Sequence, residues 1–82
     1  MNSYITKGVC TRKITFTIDN ELVKDVAFYS GCHGNLQGIS SLIEGMNVHE
    51  AIKKLKGIKC GNKPTSCPDQ LSKALEEHIN NR

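Results

Sequence analysis

Alternation is the first regular feature along the chain. Between Arg12 and Ile18, apolar Ile14, Phe16 and Ile18 take every second position, with Lys13, Thr15 and Thr17 between them. A period of two, rich in β-branched residues, predicts a half-buried strand. Asp19-Asn20-Glu21 supplies turn residues. Leu22–Tyr29 resumes the pattern, with Val26 and Phe28 assigned to the face of Leu22 and Lys24. The two runs predict an antiparallel β-hairpin or small sheet over residues 11–29.

Past Ser30-Gly31-Cys32-His33-Gly34-Asn35 the period becomes helical. Leu36, Ile39, Leu42 and Ile43 predict a helix over residues 35–44, opened by Asn35 and stopped at Gly45. Asn47 to Glu50 fits a capped start, with Met46 and Ala51 as a hydrophobic staple across it. Val48, Ala51, Ile52 and Leu55 give this second helix, over 47–56, its apolar face, and Gly57 ends it. A third helix is predicted over 68–79 through Leu71, Ala74, Leu75 and Ile79. No element is assigned to the polar residues 1–9, and no repeat, linker or low-complexity stretch interrupts the chain. The expectation is one α+β domain over residues 1–82, a hairpin followed by three helices.

The third helix opens on Cys67-Pro68. Proline suits the first helical position, which predicts Cys67 as the N-cap, with Asp69 and Gln70 in the first turn and Gln70 reaching back to the cap. A thiol there faces unpaired N–H groups and the positive end of the helix dipole, a setting that favours thiolate. All four cysteines fall at element ends. Cys10 precedes the first strand, Cys32 follows the second, Cys60 follows the second helix and Cys67 opens the third. A hairpin reverses direction, so Cys10 and Cys32 belong at one end of the sheet, while Cys60 and Cys67 flank one loop. One metal site of three or four of these cysteines is the expectation, since a buried free cysteine can also serve as a small hydrophobe. Tetrahedral Zn²⁺ suits it, with Zn–S bonds of about 2.3 Å, and an iron–sulfur cluster is the alternative.

Composition sharpens that expectation. Two Phe, two Tyr and no Trp in 82 residues make a thin core, and chains of this size often need a metal or disulfide staple. The first residues lack the apolar stretch of a secretory leader, and no apolar run is long enough to span a membrane. A cytoplasmic protein is expected, where clustered thiols stay reduced and serve metal or redox chemistry. A net charge of +3 with a pI near 8.7 is mild. The lysines from Lys53 to Lys63 read as a solvated face, since no nucleic-acid motif accompanies them. Nothing in the pattern fixes an oligomeric state.

Other candidates carry weaker signals. His33, beside Cys32, suits a replacement ligand or a proton acceptor, against a surface histidine in a Gly-rich loop. His49 and His78 read as surface or boundary residues. Gly31-x-x-Gly34-Asn35 lacks the full phosphate-binding fingerprint and reads better as a turn. No Ser-His-Asp set, H-E-x-x-H motif or pair of catalytic carboxylates occurs.

Thr65-Ser66-Cys67-Pro68-Asp69 spells the signature of the TSCPD domain family. The resemblance extends to Gly8-Val9-Cys10, Gly31-Cys32-His33-Gly34-Asn35-Leu36 and Leu55-Lys56-Gly57-Ile58-Lys59-Cys60-Gly61. The chain looks like the small stand-alone form. Related domains occur at the C-terminal end of cobalamin-dependent ribonucleotide reductases, where the cysteines are presumed to bind metal or support thiol redox chemistry. The resemblance implies Cys10, Cys32, Cys60 and Cys67 as site residues and a protein partner in nucleotide metabolism. Eighty-two residues leave no room for the reductase barrel, its radical cysteine or a cobalamin site. A weaker resemblance, on Gly31-Cys32, Gly45 and Cys67-Pro68, is to the U-type iron–sulfur scaffold fold. There Cys60 has no clear counterpart, and Thr11 follows Cys10 in place of the scaffold's Gly-Asp.

Overall fold

Asn20 and Glu21 both adopt left-handed backbone, at φ 54° and 67°, and Asp19 pairs with Leu22 across them. This is a two-residue turn whose twist matches that of the strands it joins. It closes the predicted hairpin in the computed structural model, which describes residues 2–9, 11–30 and 33–81. The elements are β1 (Asn2–Ile5), β2 (Lys13–Asp19), β3 (Leu22–Tyr29), α1 (His33–Ile43), α2 (Val48–Leu55) and α3 (Cys67–Asn80). The strands form an antiparallel sheet in the order β1-β2-β3, so the fold is α+β as expected.

The sheet gains one strand that patterning missed. Asn2–Ile5 carries no apolar alternation to announce it. It forms because β2 offers a free edge, against which Asn2 pairs with Phe16 and Ile5 with Lys13. A β-bulge supplies the second correction. Thr15 pairs with Ala27 but Thr17 pairs with Lys24, so β3 holds one extra residue. Asp25 takes up the irregularity at φ 55°, and its N–H donates to Glu44 Oε1 at 2.9 Å. The inward positions of β3 are therefore Val23 and Val26, three residues apart and both buried. The strict alternation that grouped Leu22 and Lys24 with Val26 does not survive the bulge. Thr15, assigned to the polar face, is also buried, flanked by Ser3 and Ala27 on the neighbouring strands.

One apolar layer joins sheet and helices. Ile14, Phe16, Val23 and Val26 from the sheet meet Ile43, the α2 face of Val48, Ala51, Ile52 and Leu55, and Leu71, Ala74 and Leu75 of α3. The α2 and α3 faces are those that the helical spacing predicted. Leu42 is not part of it. At 78% exposed it lies on the outer side of α1, because α1 touches the molecule mainly along β3 and leaves the rest of its circumference to solvent. Asn35 lies inside α1 rather than at its cap.

The segment between α1 and α2 is hydrogen-bonded to the start of β3. Val23 N–H donates to the Met46 carbonyl at 2.8 Å, Gly45 N–H to the Val23 carbonyl at 2.7 Å and Val48 N–H to the Glu21 carbonyl at 2.8 Å. Asn47 caps α2 as expected, its side chain accepting from His49 N–H. Met46 packs against the core.

A groove around Cys67, and the network that aims it

The loop from Gly57 to Ser66 has little apolar side chain to bury, so polar contacts must fix its course into α3. Gly57, at φ +85°, ends α2 in the left-handed backbone that glycine reaches most easily. Its N–H donates to Asp69 Oδ1 at 2.8 Å. The Thr65 hydroxyl donates to the other carboxylate oxygen, Asp69 Oδ2, at 2.5 Å. Gln70 Nε2 donates to Thr65 Oγ1 at 3.0 Å, and Gln70 Oε1 accepts from Lys7 N–H at 3.3 Å. The first turn of α3 thereby holds the end of α2, the loop and the segment before β2.

Asp69 is the hub of these contacts and is only 5% exposed. Burial pushes its carboxyl up, but the hydrogen bonds from Thr65 and Gly57 and the Lys73 ammonium outweigh that effect. The carboxyl is held below its ordinary value and stays charged. Lys73 Nζ lies 3.7 Å from Oδ2, one helical turn along.

Ser66, not Cys67, is the N-cap of α3. Its backbone is extended at φ −152°, and its Oγ accepts from Asp69 N–H at 3.2 Å while donating to the Ile58 carbonyl at 2.6 Å. A hydroxyl is a far better acceptor for the orphan N–H groups than a thiol, which moves the cap one residue upstream of the expected position. Cys67 becomes the first helical residue, and Gln70 turns to Thr65 and Lys7 instead of reaching back. Ser66→Ala is expected to cost about 1–2 kcal/mol, read as a lower urea midpoint at unchanged m-value.

With the cap at Ser66, the Cys67 side chain is left for other work. It is half-buried, and Sγ lies 3.0 Å from the hydroxyl of buried Thr11. It opens onto a groove of about 260 Å³. Val9 contributes from the segment before β2, Leu36 and Ile39 from α1, Ile58, Lys59, Cys60 and Lys63 from the α2–α3 loop, and Cys67 and Pro68 from α3. The walls are mostly aliphatic, with Lys59 and Lys63 on the loop side. Cys60 is exposed. Its N–H donates to the Thr65 carbonyl at 3.2 Å, and its carbonyl accepts from Lys63 N–H at 3.0 Å. Both thiols are free.

Of the four predicted site residues, then, Cys60 and Cys67 line one groove. Cys10 and Cys32 lie outside the described residues. Among the described residues, no group of three or more His, Cys, Asp or Glu side chains stands ready to hold a metal ion. His49 sits on the surface, 3.2 Å from Glu21 Oε2. His78 packs edge-on against Phe16, with ring centroids 5.9 Å apart. They are a surface and a boundary residue, as expected. The donors on the groove are soft sulfurs, and its described lining includes no carboxylate or imidazole. That donor chemistry fits Zn²⁺ or an iron–sulfur cluster and disfavours a hard cation.

Thr11, buried beside Cys67, is the contact that sequence reasoning missed. Its partner lies 56 positions away, so no local pattern marks it. The motif residues around Cys67, by contrast, were visible as a string, but their roles were not. Thr65, Ser66 and Asp69 build the turn, and Cys67 is the member that brings a thiol to the groove.

Among the described residues no helix is long and apolar enough to cross a membrane. No curated protein and no solved structure matches the chain. The profile of the TSCPD domain matches residues 2–79, nearly the whole chain, and the chain belongs to the TSCPD domain family.

Proposed function

We propose that this TSCPD domain is a small metal-binding module in which Cys10, Cys32, Cys60 and Cys67 supply thiolate ligands to one ion, with zinc as the metal. The observation that supports the reading is the make-up of the groove. Its walls come from segments next to or carrying the cysteines in the sequence: Val9 immediately precedes Cys10, Asn35 and Leu36 follow Cys32 by three and four positions, and Cys60 and Cys67 line it themselves. Thr11, on the other side of Cys10, bonds Cys67 Sγ. Bound there, a closed four-thiolate zinc site would tie the hairpin to the helices. In finger peptides such sites contribute on the order of 10–16 kcal/mol to folding, comparable with or larger than the whole stability margin of a small domain.

The cellular role we infer is accessory. The resemblance to domains attached to ribonucleotide reductases points to a partner in nucleotide metabolism. The described part of the site offers two thiols and two lysines on mostly aliphatic walls. The cytoplasm, which keeps thiols reduced, suits such a site.

Metal analysis of untagged protein, with thiol counts before and after chelation, tests the proposal. About one zinc per chain is expected, with the cysteines reacting slowly until the chelator is added and the domain losing its melting transition afterwards. Iron with visible absorption would assign a cluster instead. Metal-free protein whose Cys67 alkylates at once would replace the reading with a thiol-based sulfur, iron–sulfur or electron carrier working through that residue.

A further inference from the structure

We propose that Thr11 is a positioning residue for the metal-bound form of Cys67, donating its hydroxyl proton to the ligating sulfur. The inference deepens the metal-site reading and rests on it. Thr11 is 1% exposed and clamped along its backbone. Its carbonyl accepts from the Thr6 hydroxyl, and the N–H of the same peptide, that of Arg12, donates to the Tyr29 carbonyl at 2.8 Å. With the Thr11–Arg12 peptide held through both its polar groups and the residue buried, the side chain has little freedom, and its hydroxyl stands 3.0 Å from Cys67 Sγ.

Either atom can donate while sulfur keeps its proton. A sulfur bound to metal has none, so the hydroxyl becomes the donor and the bond becomes charge-assisted. Such outer contacts orient a ligand and draw charge from it, and removing one typically weakens metal affinity by about 10–100-fold. The placement is economical in chain terms as well. Thr11 directly follows Cys10, so a single backbone segment would carry one ligand and the orienting donor of another.

Cobalt(II) titration of the full chain tests this. Wild-type protein is expected to give a thiolate-to-cobalt charge-transfer band. Thr11→Val, which keeps the shape and deletes the hydroxyl, is expected to bind about 10–100-fold more weakly. Its band is expected at longer wavelength, because the sulfur lone pairs lose a donor. Thr11→Ser should restore both the affinity and the band. Circular dichroism checks the fold, and Thr11→Ala serves as the hydroxyl-free variant if valine does not fit. Wild-type affinity and band position in the valine or alanine protein would overturn the role of Thr11 and leave the metal reading standing. A serine protein as impaired as the valine one would overturn it too, since the methyl rather than the hydroxyl would then matter. No charge-transfer band from wild type would overturn both proposals together.

Discussion

Asp69→Ala is expected to lower the unfolding free energy by about 3 kcal/mol or more. Two donors lose their acceptor at once, the Gly57 N–H and the Thr65 hydroxyl, and a buried unsatisfied polar group costs about 1–3 kcal/mol. Against a domain margin of about 5–15 kcal/mol, that removes between about a fifth and more than half of the stability. The loss should also loosen the Cys60–Cys67 loop, since Asp69 links the end of α2 to the first turn of α3. Urea titration followed by circular dichroism measures it. Asp69→Asn separates charge from geometry, because it retains an acceptor for Gly57. The folded carboxyl is held below its ordinary value, so the folded state binds its proton more weakly than the unfolded chain does. Its stabilisation is therefore complete above the unfolded value of about 3.9 and lost as pH falls through the lower folded value. Wild-type stability should drop through that acid window, and the asparagine variant should lack this part of the slope. Equal acid slopes would remove Asp69 from the account.

Phe16→Ala should be at least as damaging, at about 3–5 kcal/mol. Phe16 is 2% exposed on the central strand, opposite Asn2 of β1, with the His78 ring standing edge-on at 85°. It belongs to the layer where the sheet meets α2 and α3. For a domain of this size each kcal/mol is worth about 4–8 °C, and the melting temperature should fall by more than about 10 °C. Phe16→Leu, which refills most of the volume, should cost under about 1.5 kcal/mol. A leucine variant as unstable as the alanine one would mean that ring geometry, not filled volume, holds this layer.

The two helices with the clearest apolar stripes, α2 and α3, were legible because burial on one side of a helix leaves a 3.6-residue imprint on composition. The β2–β3 hairpin was legible for the matching reason at period two. The failures share a different cause. Strand β1 exists because an edge of β2 needs hydrogen-bond partners, and backbone pairing leaves no trace in side-chain type. The bulge at Asp25 moved Val23 inward by adding a single residue, which a strict two-residue period cannot anticipate. Leu42 had the spacing of a core residue, but α1 has a neighbour along β3 and solvent around much of the rest.

At the groove the division is sharper. The motif from Thr65 to Asp69 announced a helix start bearing a thiol, and that much is local chemistry: a capping hydroxyl, a proline and an acid in the first turn. Which residue caps it, and what Asp69, Gln70 and Thr65 hold, depended on donors from Gly57 and Lys7 and an acceptor from Ile58 that only the folded chain delivers.

Sequence alone determined the order of the main helices and strands, the family, and the thiol at the head of α3, because each is written in residue type and short spacing. Tertiary structure alone decided that Thr11 meets Cys67, that Asp69 links α2 to α3, and that Cys60 and Cys67 share a groove. Those contacts join side chains and backbone groups from separate parts of the chain, and only packing sets the distances between them.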